Sequence, residues 1–291
     1  MFADPVARFR RFARAVTLEV GALDTSFLGR GRPLGAARVL NAIGVGRTDV
    51  AEIRDHLKLD SGLMSRLLRG LEDEGLVRTT PHADDARRRV AALTSAGRRE
   101  FQAYEALSNA RASALLERAP RAEELLAAMD LIASALGRDR IAIEEADPRG
   151  AAARYCLEQY YAELQRRFAR GFDASRSRDP GAADMARPRG AFLLAMSDGA
   201  PIGCVGLKGD GGGTGEIKRL WISPSARGLG LAKRLMAAAE SVARGLSIAT
   251  LRLDTNSALP EALKLYRTSG WTEIPRFNDD PYPDHFFEKR L

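Results

Sequence analysis

The chain has 291 residues, of which 45% are apolar and 29% charged, and its formal net charge is +7. That length suits two domains of ordinary size, and that composition excludes wholesale disorder. No run of about 18 uninterrupted apolar residues occurs, which excludes a membrane-spanning helix, and the start MFADPVARFRRFARAV lacks the apolar core and cleavage site of a secretory signal, so a cytoplasmic location is expected.

The first half reads as helices. Phe2, Val6, Phe9, Ala13, Val16, Val20, Leu23 and Phe27 alternate spacings of four and three, flanked by Arg8, Arg10, Arg11 and Arg14. Such a seam serves an intramolecular core or a dimer contact. Leu107, Leu115 and Leu116, then Leu125, Leu126, Met129, Ile132 and Leu136, stripe further helices. The pattern breaks at Ala146-Asp147-Pro148-Arg149-Gly150, which fits a linker and divides the chain into 1–146 and 147–291. A helix follows over Arg154 to Phe168, then a Ser/Arg/Pro/Gly loop over roughly 173–190. From Ala191, short β-like runs alternate with helices: FLLAM, IGCVGL, EIKRLWI, a helix at 229–244, ATLRLD, a helix at 260–268, and HFFEKR. This alternation predicts an α/β domain. The run GDGGGTG at 209–215 has no following Lys-Ser or Lys-Thr, so it reads as a hairpin turn rather than a phosphate loop.

Charge does not single out a nucleic-acid-binding half. Residues 1–150 hold 24 basic and 22 acidic side chains, and residues 151–291 hold 21 and 16. Local clusters are more telling. In TDVAEIRDHLKLDSGLMSRLLRGLEDEGLVRTT, Val50, Ile53 and Leu57 mark one short helix. Asp60 or Ser61 caps a second, whose apolar face is Leu63, Leu67, Leu68 and Leu71 and which closes at Gly75. Two short helices joined by a tight turn match a helix-turn-helix. The outward face offers Ser61, Ser65, Arg66 and Arg69, donors suited to phosphates and guanine edges. Strands at Leu76-Val77-Arg78 and Val90-Ala91-Ala92-Leu93 flank the polar loop PHADDARRR. Its Arg87 and Arg88, with Arg89, either reach DNA or decorate a solvated hairpin. Leu71, Gly75, Leu76, Val77, Asp85, Arg87, Leu93, Thr94 and Gly97 stand at the spacings of the MarR family of winged-helix repressors, which residues 1–140 resemble. The resemblance implies a homodimer joined through terminal helices, double-stranded operator DNA as partner, and Arg87 as the wing contact.

The sharpest motif is EIKRLWISPSARGLGLAKRLM. A strand ends at Ser223-Pro224, and Arg227-Gly228-Leu229-Gly230-Leu231-Ala232 then opens a helix carrying Leu235, Met236 and Ala239. A glycine loop at a helix N-terminus presents backbone N–H groups and positive dipole to a pyrophosphate. A dinucleotide fingerprint would need a third glycine where Lys233 stands. Arg-x-x-Gly-x-Ala after such a strand, with Leu265-Tyr266-Arg267-x-x-Gly270-Trp271 further on, resembles the GNAT superfamily of acyltransferases across the whole second half. The resemblance implies a two-domain chain: a mainly α winged helix-turn-helix, then an α/β GNAT fold with a mixed, mostly antiparallel sheet. It implies acetyl-CoA as cosubstrate, with Leu220, Trp221 and Ile222 along the pantetheine arm and Arg227 to Ala232 on the pyrophosphate. Two scattered cysteines, Cys156 and Cys204, and three histidines, His56, His82 and His285, match no metal-ligand spacing, so no metal is expected.

Attack of a neutral amine on a thioester places charge on the carbonyl oxygen, which a backbone N–H near the strand end can stabilise. The departing thiolate needs a proton, and a tyrosine with an ordinary pKa near 10 can supply it. Tyr266 stands where the family places such a tyrosine; packing is the other reading. Glu216 is either a base or water relay, or a hairpin-edge charge. Where the family often has an asparagine seven residues before the tyrosine, Leu259 stands; Asn256 lies ten before. Arg167, Phe168, Phe172, Asn278 and His285 are the candidate acceptor contacts. Arginine and histidine there suit a carboxylate-bearing amine, whereas Asp279, Asp280 and Asp284 suit a polyamine or aminoglycoside. His285 is also read as a plain strand residue. The expectation is a bifunctional regulator and N-acetyltransferase of a small-molecule amine. The alternatives are a regulator whose acyl-CoA domain senses acetyl-CoA or an amine without turnover, and an enzyme whose helical half only dimerises it.

Overall fold

The computed structural model describes residues 4–85, 87–176 and 184–291. Phe2 of the apolar seam, Ala86 of the arginine-rich loop and 177–183 of the Ser/Arg/Pro/Gly stretch lie outside the described residues. The chain divides into two compact units, Met1–Ala122 and Glu123–Leu291.

In the first unit, helix α1 (Pro5–Glu19) starts at an Asp4 cap that accepts from the Val6 and Ala7 N–H groups. None of its residues is buried. The seam stops here rather than running to Phe27, because Gly21 at φ 65° takes the left-handed conformation that ends a helix. Phe27 instead stacks on Tyr104, their ring centres 6.0 Å apart. Helices α2 (Leu34–Gly44), α3 (Val50–His56) and α4 (Ser61–Asp73) follow, then strands β1 (Val77–Pro81) and β2 (Arg89–Leu93), an antiparallel hairpin, and helix α5 (Ser95–Glu117). Asp49 caps α3 and Asp60 caps α4. Val39, Leu40, Ile53, Leu68 and Leu71 form the core that packs α2, α3 and α4 together. Gly97 lies so close to the Leu76 carbonyl that a Cβ would fall 1.9 Å from its oxygen.

The second unit holds helix α6 (Ala122–Gly137), strand β3 (Ala142–Ala146), helix α7 (Ala151–Arg167) and strands β4 (Gly190–Ser197), β5 (Ala200–Gly209) and β6 (Thr214–Ile222). Helix α8 (Leu231–Gly245), strand β7 (Thr250–Thr255), helix α9 (Pro260–Arg267) and strands β8 (Thr272–Glu273) and β9 (His285–Arg290) complete it. The sheet runs β3-β4-β5-β6-β7-β9-β8, and among the described residues only β6 and β7 pair parallel. This is the mixed, mostly antiparallel α/β fold that the motifs imply. The compact units divide at 122/123, whereas the linker is expected at 146/147; Ala142–Ala146 pairs with β4, and Ala146 to Gly150 is a turn inside the second unit. Turn residues mark a change of direction whether or not a domain ends there, so composition alone could not separate the two cases.

Alternate residues of the strands serve the two faces of the sheet. Leu193, Ala195, Val205 and Leu207 pack with the buried stripe of α8, Leu231, Leu235, Met236, Ala239 and Ala243. Phe192, Leu194, Cys204 and Trp221 pack with Ala153, Cys156 and Leu157 of α7. Both cysteines are buried free thiols.

Candidate active site

The ladder between β6 and β7 ends at Glu216 and Arg252, although β6 continues to Ile222 and β7 to Thr255. A bulge helps turn β6 away. Cys204 pairs with Trp221 and Gly206 with Lys218, so Arg219 and Leu220 together oppose the single Val205. Arg219 accordingly takes φ 55°, a left-handed conformation uncommon for a side-chain-bearing residue.

Two cavities open where the strands part. The first has a volume of about 420 Å³ and is walled by Leu220, Trp221 and Ile222 of β6, the Arg227–Lys233 loop and helix start, one face of α7, and Glu261 and Leu265 of α9. The second, of about 100 Å³, is walled by Lys218 and Arg219 of β6, Asp254 and Thr255 of β7, Tyr266, and a group of aromatic rings. Tyr160, Leu164, Leu220, Leu259 and Ala262 wall both.

In the larger cavity, Gly228 and Gly230 take φ 79° and 77°, and nothing lies within 4 Å of where a side chain would begin. Glycine holds that conformation without strain and leaves the backbone open to a ligand. The first N–H groups of α8 lack acceptors within the helix and face this space with the positive end of the dipole. Arg227, Lys233 and Arg167 supply cations, Glu163 and Glu261 carboxylates. The Arg227 guanidinium donates to Glu163 Oε2 at 2.5 Å and to the Ile222 carbonyl at 3.2 Å, and Trp221 Nε1 donates to the same Glu163 oxygen at 3.2 Å. An apolar trench ending in a glycine-rich, cation-flanked helix start fits the arm and pyrophosphate of a coenzyme A thioester. Of the residues expected there, Leu220, Trp221, Ile222, Arg227, Gly228, Gly230, Leu231 and Ala232 reach the wall; Leu229 instead packs toward the core.

The expected acceptor contacts separate. Phe168 and Phe172 wall the smaller cavity. Arg167 faces the larger one, bonded to Glu163 at 3.1 Å and by both nitrogens to Glu261, and Glu261 is held below the usual carboxylate range chiefly by that guanidinium. Asn278 reaches the pocket only through Asp254, to whose Oδ2 it donates at 2.7 Å. His285 starts β9, paired with Glu273 at 2.6 Å and within 3.1 Å of Ser257, away from both cavities. Asn256 donates to the Tyr282 carbonyl at 2.7 Å and accepts from Ala258 N–H at 2.8 Å, so it shapes the turn into α9.

Tyr266 is buried, and burial pushes its pKa well above the ordinary tyrosine value. Glu216 stands apart: it walls a separate hollow with Arg252 and Phe277. Lys218, a wall residue of the smaller cavity, links the two, its Nζ 3.1 Å from Glu216 and 3.0 Å from Asp254. Burial works against that ammonium, but the two carboxylates together hold its pKa above the usual lysine value. Sequence reasoning missed Tyr160, Tyr161, Glu163, Lys218, Arg219 and Asp254, whereas Tyr282 belongs to the aromatic segment 277–286 expected as an opposite wall. Only helix spacing in α7 and strand alternation in β6 hinted at their facing.

In the first unit, Ser61, Ser65, Arg66 and Arg69 are all exposed along α4. Arg87 lies at the hairpin tip with its side chain 94% exposed, near Asp85 at 3.4 Å. Arg88 turns inward: its Nε donates to Asp49 at 2.9 Å, and it approaches Glu52 at 3.5 Å. Arg88 thus ties the hairpin to the start of α3 while its side chain stays about half exposed. Among the described residues no helix is long and apolar enough to cross a membrane, and no group of three His, Cys, Asp or Glu could hold a metal ion.

Comparison with known proteins agrees with both halves. The profile of the Acetyltransferase (GNAT) family matches residues 157–271, and that of the MarR family residues 30–88. An IAA acetyltransferase of Azospirillum brasilense is 36% identical over 112 residues, 37% of this chain and 72% of that protein. An uncharacterized N-acetyltransferase of Schizosaccharomyces pombe is 32% identical over 99 residues, 33% of this chain and 61% of that protein. Among solved structures, a GNAT-family acetyltransferase of Staphylococcus aureus aligns at 19% identity and TM-score 0.46, covering 52% of this chain and 99% of that one. The chain therefore belongs to the GNAT acetyltransferase family and carries, before that fold, a winged helix-turn-helix region of the MarR family.

Proposed function

We propose that the second unit transfers an acetyl group from acetyl-CoA to the amine of a small molecule. The observation that carries this reading is the parting of β6 and β7 beyond Glu216 and Arg252, with two cavities sharing five wall residues across the gap. One cavity suits a long thioester arm and the other an acceptor, so their meeting point is where acyl carbon and amine would come together. Bound acetyl-CoA supplies an acyl carbonyl activated as a thioester. Leu220, Trp221 and Ile222 flank the arm, and the Arg227–Ala232 loop with the start of α8 faces the pyrophosphate. Tyr266 keeps its proton on Oη because burial disfavours the phenolate, so a proton is present there for the departing sulfur, while the same burial makes the hydroxyl a weaker acid than a free tyrosine. Glu216 acts at one remove, holding Lys218 against Asp254, rather than as the base itself. Calorimetric titration with acetyl-CoA, followed by thiol release across an amine panel, tests this. Saturable binding with turnover of at least one amine is expected; no binding at millimolar acetyl-CoA overturns it.

We infer in addition that the first unit is a homodimeric operator-binding module. The exposed donors of α4 and Arg87 support contact with DNA, and the exposed apolar residues of α1, among them Val6 at 64% and Phe9 at 58%, support pairing with a second copy. Two recognition helices would then lie one turn of B-DNA apart, about 34–36 Å. Both acetyl-CoA and chromosomal DNA are found inside the cell, which supports a cytoplasmic location. Size-exclusion chromatography with light scattering and gel-shift titration at two salt concentrations check dimer and binding; a monomer without affinity for any genomic fragment sinks the inference.

A further inference from the structure

We propose that the acetyl acceptor is an arylalkylamine, a primary amine joined by a short tether to one flat aromatic group. This rests on the acetyltransferase reading above and narrows it.

Besides Tyr266, five rings converge on the smaller cavity from two stretches of the chain: Tyr160 and Tyr161 of α7 with Phe168 and Phe172 just after it, and Tyr282 before β9. Phe172 and Tyr282 have their centres 4.6 Å apart, and Tyr161 lies parallel to Phe172 within 14° at 5.8 Å. The hydroxyls of Tyr282 and Tyr161 are already engaged. Tyr282 Oη accepts from the Asp173 N–H at 3.0 Å and donates to the Asp173 carbonyl at 3.2 Å. Tyr161 Oη accepts from Arg219 Nε at 2.8 Å. What these residues offer a guest is ring surface, and ring surface favours an aromatic partner in offset or edge contact.

The charges argue against a polycation. Lys218 and Arg219 sit in the same wall. Asp254 Oδ2 already receives both Lys218 Nζ and Asn278 Nδ2. Asp280 accepts from the Tyr282 N–H, and Asp284 accepts from Ser257. A guest with several ammonium groups would bring them against two protein cations, with the neighbouring carboxylates committed elsewhere. Nor is the group of rings an open cage for a cation, since the Arg219 guanidinium already lies 5.9 Å from the Tyr161 ring centre. The cavity itself is small, about 100 Å³, which suits a compact guest.

The test measures kcat/KM of the full-length chain, with acetyl-CoA saturating, for phenethylamine, tryptamine, butylamine, spermidine and kanamycin. Butylamine isolates the ring's contribution. Phenethylamine or tryptamine should exceed the other three by about tenfold or more, the size of one or two good aromatic contacts. Phe172→Leu keeps bulk but removes a face. It should raise KM for the aromatic amine about threefold to tenfold while leaving KM for acetyl-CoA unchanged. Preference for spermidine or kanamycin, parity between butylamine and phenethylamine, or no turnover of either aromatic amine overturns the proposal. Calorimetric binding of acetyl-CoA, measured separately, distinguishes that failure from failure of the acetyltransferase reading, which alone predicts binding without regard to acceptor.

Discussion

Glu163 of α7 and Arg227 of the glycine-rich loop are joined oxygen to nitrogen at 2.5 Å, and the same Glu163 oxygen receives the Trp221 indole N–H at 3.2 Å. One helix carboxylate thus fastens both the strand end and the loop that face the larger cavity. Glu163→Ala should lower stability by about 1–3 kcal/mol, because the buried Trp221 N–H is left without its acceptor. The half-exposed Arg227 contributes little to that figure, since solvent screens it. Glu163→Gln keeps an acceptor and should cost less. Urea denaturation of the three proteins measures the difference, and equal midpoints for Ala and Gln would contradict the role given to the indole.

Gly230 caps α8 at φ 77° beside open space. Gly230→Glu places a strained backbone and a negative charge where the anionic coenzyme would approach, so acetyl-CoA affinity should drop at least about tenfold. Calorimetry reads this directly. Normal affinity would move the phosphate site elsewhere.

Tyr266→Phe should reduce kcat by about 10²–10⁴-fold, the range of a positioned acid, with little change in acetyl-CoA affinity. The pH profile adds a second check. Burial raises the Tyr266 pKa above the ordinary value near 10, so the wild-type rate should show no alkaline fall from this group below about pH 10. The sign for stability is the same. The unfolded tyrosine loses its proton near its ordinary pKa while the native one keeps it, so its contribution is fully present below about pH 10 and declines above.

Arg87→Ala and Arg88→Ala should behave differently in the winged-helix unit. Arg87 is almost fully exposed at the hairpin tip, and its loss should weaken operator binding and reduce the salt slope by about one. Arg88 is bonded to Asp49, the cap of α3, so its loss should show first as greater hydrogen exchange in the hairpin. Identical salt slopes for Arg87→Ala and wild type would remove the tip from the DNA contact.

Gly97→Ala should destabilise the first unit by at least about 1–3 kcal/mol, since the new methyl group would overlap the Leu76 carbonyl oxygen. Thermal unfolding checks it, and an unchanged transition would mean that α5 moves away without cost.

Linear patterns revealed much of this chain. The glycine pair before α8, the spacing of Leu235, Met236 and Ala239, the hairpin at GDGGGTG and the capped helices α3 and α4 are all local features. Backbone freedom, helix period and capping act over a few residues, so they can be read from neighbours in sequence. The residues expected to face the coenzyme, 220–222 and 227–232, lie close together in sequence, and eight of the nine line the larger cavity. Which carboxylate meets which cation was decided only in three dimensions. Glu216 and Asp254 share Lys218, Arg167 turns to Glu261 rather than to an acceptor, Arg88 closes on Asp49, and Tyr282 meets Phe172 across 110 positions. Those partners come from separate strands, helices and loops, and nothing in their own neighbourhoods encodes the pairing. The bulge at Arg219 and the parting of β6 from β7 belong to the same class. They depend on how many hydrogen bonds a strand can make with partners remote in sequence, and that quantity exists only once the sheet has formed.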